Sequence, residues 1–356
     1  MRLLTIVLVS YPLAPVGPDA VGGSEQVLSA LDHALVAAGH RSVVVACEGS
    51  VVAGRHVSYP AFPPDRPIDD VCHEERRAWI AERLDEVLTE ERVDLVHMHG
   101  LDFHHYLPAP GVPVLATLHL PASWYPAHVM TPERPLTWVH GVSQSQAATI
   151  PAGAHVLPPI PNGVPVTRLA GLCSKRCHTP VMLARACPEK GLHLALQAAH
   201  QARCGLLLGG EVFPYEEHQS YFREEVAPLL DRRRRWLGPV SFARKRRMLS
   251  AARCLLVPSL VAETSSLVAM EAAACGTPVV AFRTGALPEV VEDGVTGFLV
   301  NDAAAMADAI GRVDLLHGDA IRAVARQRFT HERMAADYIA RYTVLTRIAD
   351  RSSLAA

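Results

Sequence analysis

Residues 255–282 constrain this chain more than any other stretch. Leu255–Val257 is an apolar run that breaks at Pro258, and after a short loop comes a helix that Thr264 or Ser265 can cap and Gly276 can close. A second apolar run, Val279–Phe282, completes a strand-helix-strand unit. Ligands of such units sit beyond the carboxyl ends of the strands, where the helix N-terminus presents N–H groups without intrahelical partners. Glu263 stands just before that N-terminus and Glu271 eight positions later. Amides flanked by two carboxylates suit a phosphate with a hydroxyl-bearing sugar beyond each end, the outline of a nucleotide-sugar. Taken alone, the two glutamates read better as a cap partner and a solvated helix carboxylate than as a site; the surrounding unit favours a site.

The rest of the chain repeats strand-helix alternation. Residues 3–9 form a continuous apolar strand of the doubly buried, parallel kind, followed by a loop ending in Val21, Gly22, Gly23, Ser24 and Glu25. Ser24 can cap a helix that stops at Gly39, and the glycine pair lets backbone approach an anionic group. Residues 42–47 read as a second strand, 51–67 as an edge strand and loop, and 74–91 as an amphipathic helix. Three strands, 93–97, 113–118 and 138–142, then end on His99, on His119 and on Ser143, which places these side chains on one edge of a parallel sheet. His97 reads either as a core residue or as part of that edge. Trp124 and Tyr125 can stack on a sugar or pack on a lid. Proline density and Asn162-Gly163 mark the break between two domains. Beyond it, strand 181–184 runs into Arg185 and Lys190, a fork and a point charge suited to a dianion without a metal.

The chain has 356 residues, 49% hydrophobic and 20% charged, enough for two globular α/β domains. Lys plus Arg at 34 against Asp plus Glu at 36 gives no global attraction to nucleic acid. Runs at 232–235 and 244–247 are local exceptions, readable as solvated helix faces or as a contact with an anionic membrane surface. Several of the cysteines lie in apolar runs, as free core thiols do in a reducing compartment, and Cys173, Cys177 and His178 lack the second half-site that zinc would need. The first apolar run is short, lacks a small-residue cleavage site and reads as a strand, so the cytoplasm is the expected location, with the inner face of the membrane as a peripheral contact.

Glu263, seven residues, Glu271, then a small-residue turn at Gly276 and Pro278-Val279-Val280 resemble the motif of family 4 of the retaining glycosyltransferases. Arg185…Lys190-Gly191, the His97-Met98-His99-Gly100 segment, Thr117-Leu118-His119 and Pro161-Asn162-Gly163-Val164 resemble further family segments, so the likeness spans nearly the whole chain. It implies a GT-B fold: an acceptor-binding Rossmann-like domain over 1–165, a nucleotide-sugar-binding one over 166–330 facing it across a cleft, and a helix over 331–356, with 332–348 its core, crossing back. Glu263 would hold hydroxyls of the transferred sugar and Glu271 the ribose. Arg185 and Lys190 would hold the diphosphate, with Gly22 and Gly23 facing it. Thr264, Ser265, Ser266 and Leu267 would lie near phosphate and sugar, and His119 beside the reacting sugar. His99, Tyr125 and Glu25 are the acceptor-side candidates, although Glu25 reads equally as a first-turn glutamate favoured by the helix dipole. Members commonly carry Gly-Phe-Gly-Leu where this chain has Thr264-Ser265-Ser266-Leu267, and a glycine where it has Ala184.

The resemblance implies retaining transfer of a hexosyl group from a nucleoside-diphosphate sugar, UDP before GDP, to a glycan, lipid-linked or small-molecule acceptor. No Asp-x-Asp triplet occurs to bridge a metal to the diphosphate, so no metal or other cofactor is expected. A nucleotide-sugar epimerase on the same frame, or a catalytically silent nucleotide-sugar-binding subunit, are the alternatives.

Overall fold

The structure is a computed structural model describing residues 2–20, 22–63, 66, 68–170 and 176–355. Cys173 of the cysteine-histidine group and Val21 of the glycine turn lie outside the described residues. The chain divides into two compact units, Met1–Asn162 with Glu332–Ala356, and Gly163–His331. The first junction thus falls at Asn162-Gly163, against the 165/166 boundary read from the sequence.

The first unit holds a seven-stranded parallel sheet built from β1 (Thr5–Val9), β2 (Arg41–Cys47), β3 (Arg55–Tyr59), β4 (Leu95–Met98), β5 (Val114–Thr117), β6 (Thr137–His140) and β7 (Val156–Leu157). Their order is β3-β2-β1-β4-β5-β6-β7, with His97 of β4 in register with Leu8 of β1 and Leu115 of β5. Central strands rich in Val, Ile, Leu and Ala are buried on both faces, which is why these residues read as continuous apolar runs instead of alternating ones. The helix after β1, α1 (Gly23–Ala37), starts two residues earlier than a Ser24 cap requires. Gly22 takes the cap position without a side-chain bond, and the Ser24 hydroxyl donates instead to Glu25 Oε2 at 2.9 Å. The amphipathic helix α2 (Asp70–Glu90) begins four residues before the expected start because Asp69 caps it, accepting from the Cys72 amide at 2.8 Å.

In the second unit β8 (Val181–Leu183), β9 (Leu206–Gly209), β10 (Arg234–Trp236), β11 (Leu255–Val257), β12 (Val279–Phe282) and β13 (Gly297–Val300) form a six-stranded parallel sheet in the order β10-β9-β8-β11-β12-β13. The helices that matter for the site are α3 (Leu192–Gln201), α4 (Phe242–Ala251) and α5 (Leu267–Ala274). Every residue of α5 from Ala269 to Ala274 is buried, and its run of alanines lets it lie close against the sheet. Gly276, at φ +79°, ends it: the Gly276 amide reaches the Ala273 carbonyl at 2.9 Å and the Thr277 amide the Ala272 carbonyl at 2.8 Å, a Schellman closure that needs a left-handed residue.

The last helix, α6 (His331–Ala355), carries Met334, Tyr338, Tyr342, Leu345 and Ala349 as one buried stripe at helical spacing, and its residues from Glu332 belong to the first unit. Among the described residues no helix is long and apolar enough to cross a membrane.

Candidate active site

Both sheets reverse their strand order once, between β1 and β4 in the first unit and between β8 and β11 in the second. At such switch points the loops leaving adjacent strands diverge and open a crevice at the carboxyl edge. The residues singled out in the sequence gather at these two edges.

In the second unit the loop after β8 carries Arg185, Lys190 and Gly191. Gly191 has φ +65°, and a Cβ there would lie 2.3 Å from the Pro258 carbonyl, so only glycine allows the β8 and β11 loops to approach. The two loops are stitched by the Leu260 amide donating to the Glu189 carbonyl at 2.8 Å. Across this seam Lys190 Nζ donates to Glu263 Oε1 at 2.6 Å, and the buried Ser259 hydroxyl donates to the same oxygen. The β12 loop clamps Glu263 from the other side: the Ala286 amide donates to the Glu263 carbonyl at 2.7 Å, and Gly285, at φ +51°, packs where a Cβ would strike the Glu263 backbone. Three strand ends thus fix one carboxylate and one ammonium together. Arg185 lies in the same loop with its guanidinium 5.9 Å from the centre of the Phe213 ring.

The helix N-terminus differs from the expected one. Neither Thr264 nor Ser265 caps α5; Ser266 stands at its entrance without a side-chain cap bond, and Leu267 is the first helical residue. The Met270 amide is bonded to the Ser266 carbonyl at 3.1 Å, so the earlier helical amides have no intrahelical acceptor. Ser265 Oγ is buried without a hydrogen-bond partner among the described residues.

Glu271 sits one turn further in, 2% exposed, and Lys245 Nζ of α4 donates to its Oε1 at 2.5 Å. Burial pushes the Glu271 carboxyl above its usual range, against the pull of Lys245. Lys245 belongs to the 244–247 run, read from sequence as a solvated or membrane-facing group. For Lys245 the solvated reading fails, because Ser241 starts the helix four residues earlier and rotates Lys245 inward, whereas Arg244 and Arg247 of the same run are exposed on the helix. Arg246 likewise donates to the Ala170 carbonyl at 2.8 Å. The 232–235 run is not a helix face: Arg234 opens the edge strand β10, 5% exposed, and donates to Asp231 at 2.6 Å, while Arg232, Arg233 and Arg235 are exposed.

In the first unit, Gly22 is held close by Glu25, whose carboxylate folds back over its own helix start; a Cβ on Gly22 would overlap it. Glu25 is 4% exposed. His119 is partly exposed, and its Nε2 lies 2.9 Å from Nδ1 of His99. His99, expected to face an acceptor, is 2% exposed and lies behind His119, with its Nε2 3.2 Å from His97 Nδ1. Tyr125 is also buried, its hydroxyl accepting the His119 and Leu120 amides at 3.0 and 3.3 Å, which fixes the turn carrying His119. Trp124 beside it is 46% exposed.

Of the residues behind this edge, sequence reading named His97, which is a core residue at 0% exposure, and missed the roles of Thr117, His140, Tyr338 and Tyr342 around it. His97 Nε2 lies 2.7 Å from Thr117 Oγ1 and its Nδ1 2.7 Å from the Tyr342 hydroxyl, while Thr117 Oγ1 is 2.8 Å from His140 Nε2 and 3.1 Å from the Tyr338 hydroxyl. Burial lowers all four imidazoles, His119 to about 4, His140 to about 3, and His97 and His99 well below the ordinary value. The available signal was two tyrosines four apart on the last helix, which share a face.

One group of metal-ligating atoms lies within 4.8 Å among the described residues: Cys187, Glu189 and His218, beside the Arg185–Lys190 loop. Burial pushes the Cys187 thiol up to about 11, and Arg185 and Lys190 both bring positive charge to it, which opposes a dication there.

Two family models divide the chain between them: "Glycosyltransferase Family 4" matches residues 21–168 and "Glycosyl transferases group 1" matches 178–314. Among curated proteins the chain is similar to the D-inositol 3-phosphate glycosyltransferase of Mycobacterium leprae, 42% identical over 99 residues, 27% of this chain and 23% of that one. The enzyme of the same name from Corynebacterium efficiens is 41% identical over 107 residues, 30% and 25% of the two chains. The matched stretch therefore spans about a quarter of these relatives' length. Solved structures match over the whole chain at lower identity. A sucrose-phosphate synthase from Thermosynechococcus elongatus has a TM-score of 0.78 at 22% identity, covering 97% of this chain and 100% of its own. A glycosyltransferase involved in avilamycin A biosynthesis gives 0.71 at 23% (97% and 98% covered), and Anabaena HepE in complex with UDP and glucose gives 0.72 at 18% (96% and 99%). The fold is GT-B, and with its two domain models in this order the chain is of the glycosyltransferase family 4 and group 1 type.

Proposed function

We propose that this chain is a metal-independent retaining glycosyltransferase that moves a hexosyl group from a nucleoside-diphosphate sugar, UDP before GDP, to a glycan, lipid-linked or small-molecule acceptor. The observation that carries the reading is the convergence of Lys190 and Glu263, 73 positions apart in the chain, at the switch point of the second sheet. Lys190 and Arg185 neutralise the diphosphate, and the amides at the start of α5 add fixed partial charge where the leaving group gathers its own. Glu263, already oriented by Ser259 and Lys190, accepts hydroxyls of the sugar. Glu271, held by Lys245, accepts those of the ribose. His119 takes a further sugar hydroxyl. With no carboxylate assigned as nucleophile, the bond from the anomeric carbon to phosphate breaks as the acceptor oxygen bonds on the same face, and the departing phosphate takes the acceptor's proton. UDP is preferred because the HepE structures of this fold hold UDP, UDP with glucose, or UDP-glucose.

Calorimetric titration with UDP, GDP and ADP, repeated on Glu271→Gln, tests the reading. Tight binding of one diphosphate that weakens in the variant supports it. Binding of none, or binding indifferent to residue 271, sinks it and favours a silent subunit. A donor consumed without any acceptor, giving an isomerised sugar, would make the chain an epimerase.

A further inference from the structure

The amino edge of the second sheet carries a cavity away from the residues described above. The segments entering β8, β9, β10 and β11, four neighbours in the sheet, supply Thr179, Gly205, Arg233 and Arg253 to an open hollow of about 490 Å³, and His178 and Arg203 complete its wall. That volume suits a small molecule. Arg185 and Lys190 follow β8 and Glu263 follows β11, so they stand at the opposite, carboxyl edge. Three guanidiniums line the hollow, and among the described residues no carboxylate does. Arg253 is paired, donating to Asp314 at 2.7 Å, while its Nε is buried without an acceptor among the described residues. Arg233 donates to the Arg203 carbonyl at 2.7 Å, which sets the two cations side by side, and both are exposed without an ion-pair partner among the described residues. Asp231, at the same edge, is already engaged: it accepts the Arg233 and Arg234 amides at 2.8 Å and the Arg234 guanidinium at 2.6 Å. Three guanidiniums less the Asp314 carboxylate leave two positive charges, the complement of a phosphate monoester dianion.

Arg203 stands where a glycine would be relaxed. The helix α3 ends in a Schellman closure, with the Cys204 amide donating to the Ala199 carbonyl and the Arg203 amide to the His200 carbonyl, both at 3.0 Å, and the residue that turns left-handed is Arg203, at φ +51°. Gly276 makes the same turn after α5 without a side chain to strain. Strain held at a non-glycine residue points to a side chain kept for use. We propose that this cavity binds the phosphate group of a phosphomonoester through Arg203, Arg233 and Arg253, as a second ligand site at the edge of the sheet opposite the donor site. Guanidinium forks meet phosphate oxygens two at a time, which a lysine in the same place would not. A soluble sugar phosphate and the headgroup of phosphatidic acid share this chemistry.

Calorimetric titration of the full-length chain with glycerol 3-phosphate at low salt tests the proposal. It is run on Lys190→Ala, which weakens the competing cationic site at the carboxyl edge, so the result does not depend on the donor reading. Added to that variant, Arg203→Gly removes one fork and relaxes the turn: binding should weaken by about tenfold or more, with the unfolding midpoint equal or higher. Arg233→Ala, entering a different strand, should weaken binding as well, and it keeps the test readable if Arg203→Gly disturbs the end of α3. Sedimentation with vesicles of phosphatidic acid in phosphatidylcholine separates the two sources. Vesicle binding that Arg203→Gly abolishes identifies a lipid headgroup, and binding of glycerol 3-phosphate without sedimentation identifies a soluble phosphomonoester. Binding of neither probe, or binding that both substitutions leave unchanged, overturns the proposal.

Discussion

The two units place polar groups at the same point of the same kind of sheet and stabilise them by opposite means. In the second unit the groups are charged and meet in pairs, Lys190 with Glu263 and Lys245 with Glu271. In the first unit they are imidazoles, hydroxyls and a carbonyl, all neutral and tied by hydrogen bonds. A buried charge depends on one partner, so removing that partner leaves an uncompensated ion. A buried neutral network depends on staying neutral, and an added proton disturbs it. One site is therefore vulnerable to truncation and the other to acid.

The largest expected effect is Lys245→Ala. With Lys245 only 14% and Glu271 only 3% exposed at the side chain, truncation strands the carboxylate, at a cost of about 3–5 kcal/mol of stability by urea denaturation. The double variant Lys245→Met with Glu271→Leu should recover most of that loss, because a pair of matched apolar residues needs no desolvated ion. A double variant as unstable as the single one would mean that packing around α4, and not the charge, is what Lys245 supplies.

Lys190→Ala separates the two pairs by function. Lys190 is more open, 26% exposed, and Glu263 keeps the Ser259 hydroxyl, so stability should change little. Turnover should fall by about 2.7–4 kcal/mol if Lys190 stabilises the leaving diphosphate as other transition-state donors do. Unchanged turnover in a donor-saturated assay would remove it from the chemistry.

Acid tests the first unit. Burial holds native His119 at about 4 and His140 at about 3, while the unfolded chain titrates near the ordinary histidine value. Between those values the unfolded state binds more protons, so the contribution of these groups is full above about pH 6.5 and is lost as pH falls toward 4. The loss is on the order of 3 kcal/mol for His119 alone. Glu271 runs the other way: its raised carboxyl is most favourable when protonated, and its contribution declines as pH rises above the usual carboxylate range. Hydrogen exchange followed from pH 7 to about pH 5 should therefore show the strands β4, β5 and β6 losing protection before β8, β11 and β12. Equal loss in both sheets would contradict the contrast.

How much of this was legible in the sequence follows from the same contrast. Strands buried on both faces announce themselves as unbroken apolar runs, so β11 and β12 match the residues read from sequence and β1, β2 and β5 nearly so. The convergence of Glu263 with Lys190 was reachable because strand ends in a parallel sheet share an edge. Lys245 was not, because a cation in a basic run looks solvated until the helix phase is known, and that phase depends on where Ser241 starts the turn. Arg234 was hidden in the same way by a three-residue edge strand. His99 reads like an exposed strand-end group, yet the aromatic stripe of α6, more than 200 residues later, covers the strand behind it. Local chemistry is written locally, whereas burial is decided by elements far away in the chain.

The smallest predicted effect bears on whether the second site acts as a set of independent contacts or as a unit. Ser259 is 1% exposed and its hydroxyl meets the same Glu263 oxygen that Lys190 holds. Ser259→Ala should cost about 1 kcal/mol in donor binding, since the carboxylate keeps its ammonium and loses one hydrogen bond. Combined with Lys190→Ala, the losses should not add: once Lys190 is gone, the Ser259 hydroxyl is the remaining side-chain hydrogen bond from β8 or β11 to that oxygen, so removing it then costs more than in the wild type. A coupling energy of about 0.5 kcal/mol or more in this cycle marks residues sharing one partner. Strict additivity would mean that Glu263 is fixed by its clamped backbone at Gly285 and Ala286 alone, and that the charged site, like the neutral one, owes its geometry to hydrogen bonds well behind the groups that would touch a substrate.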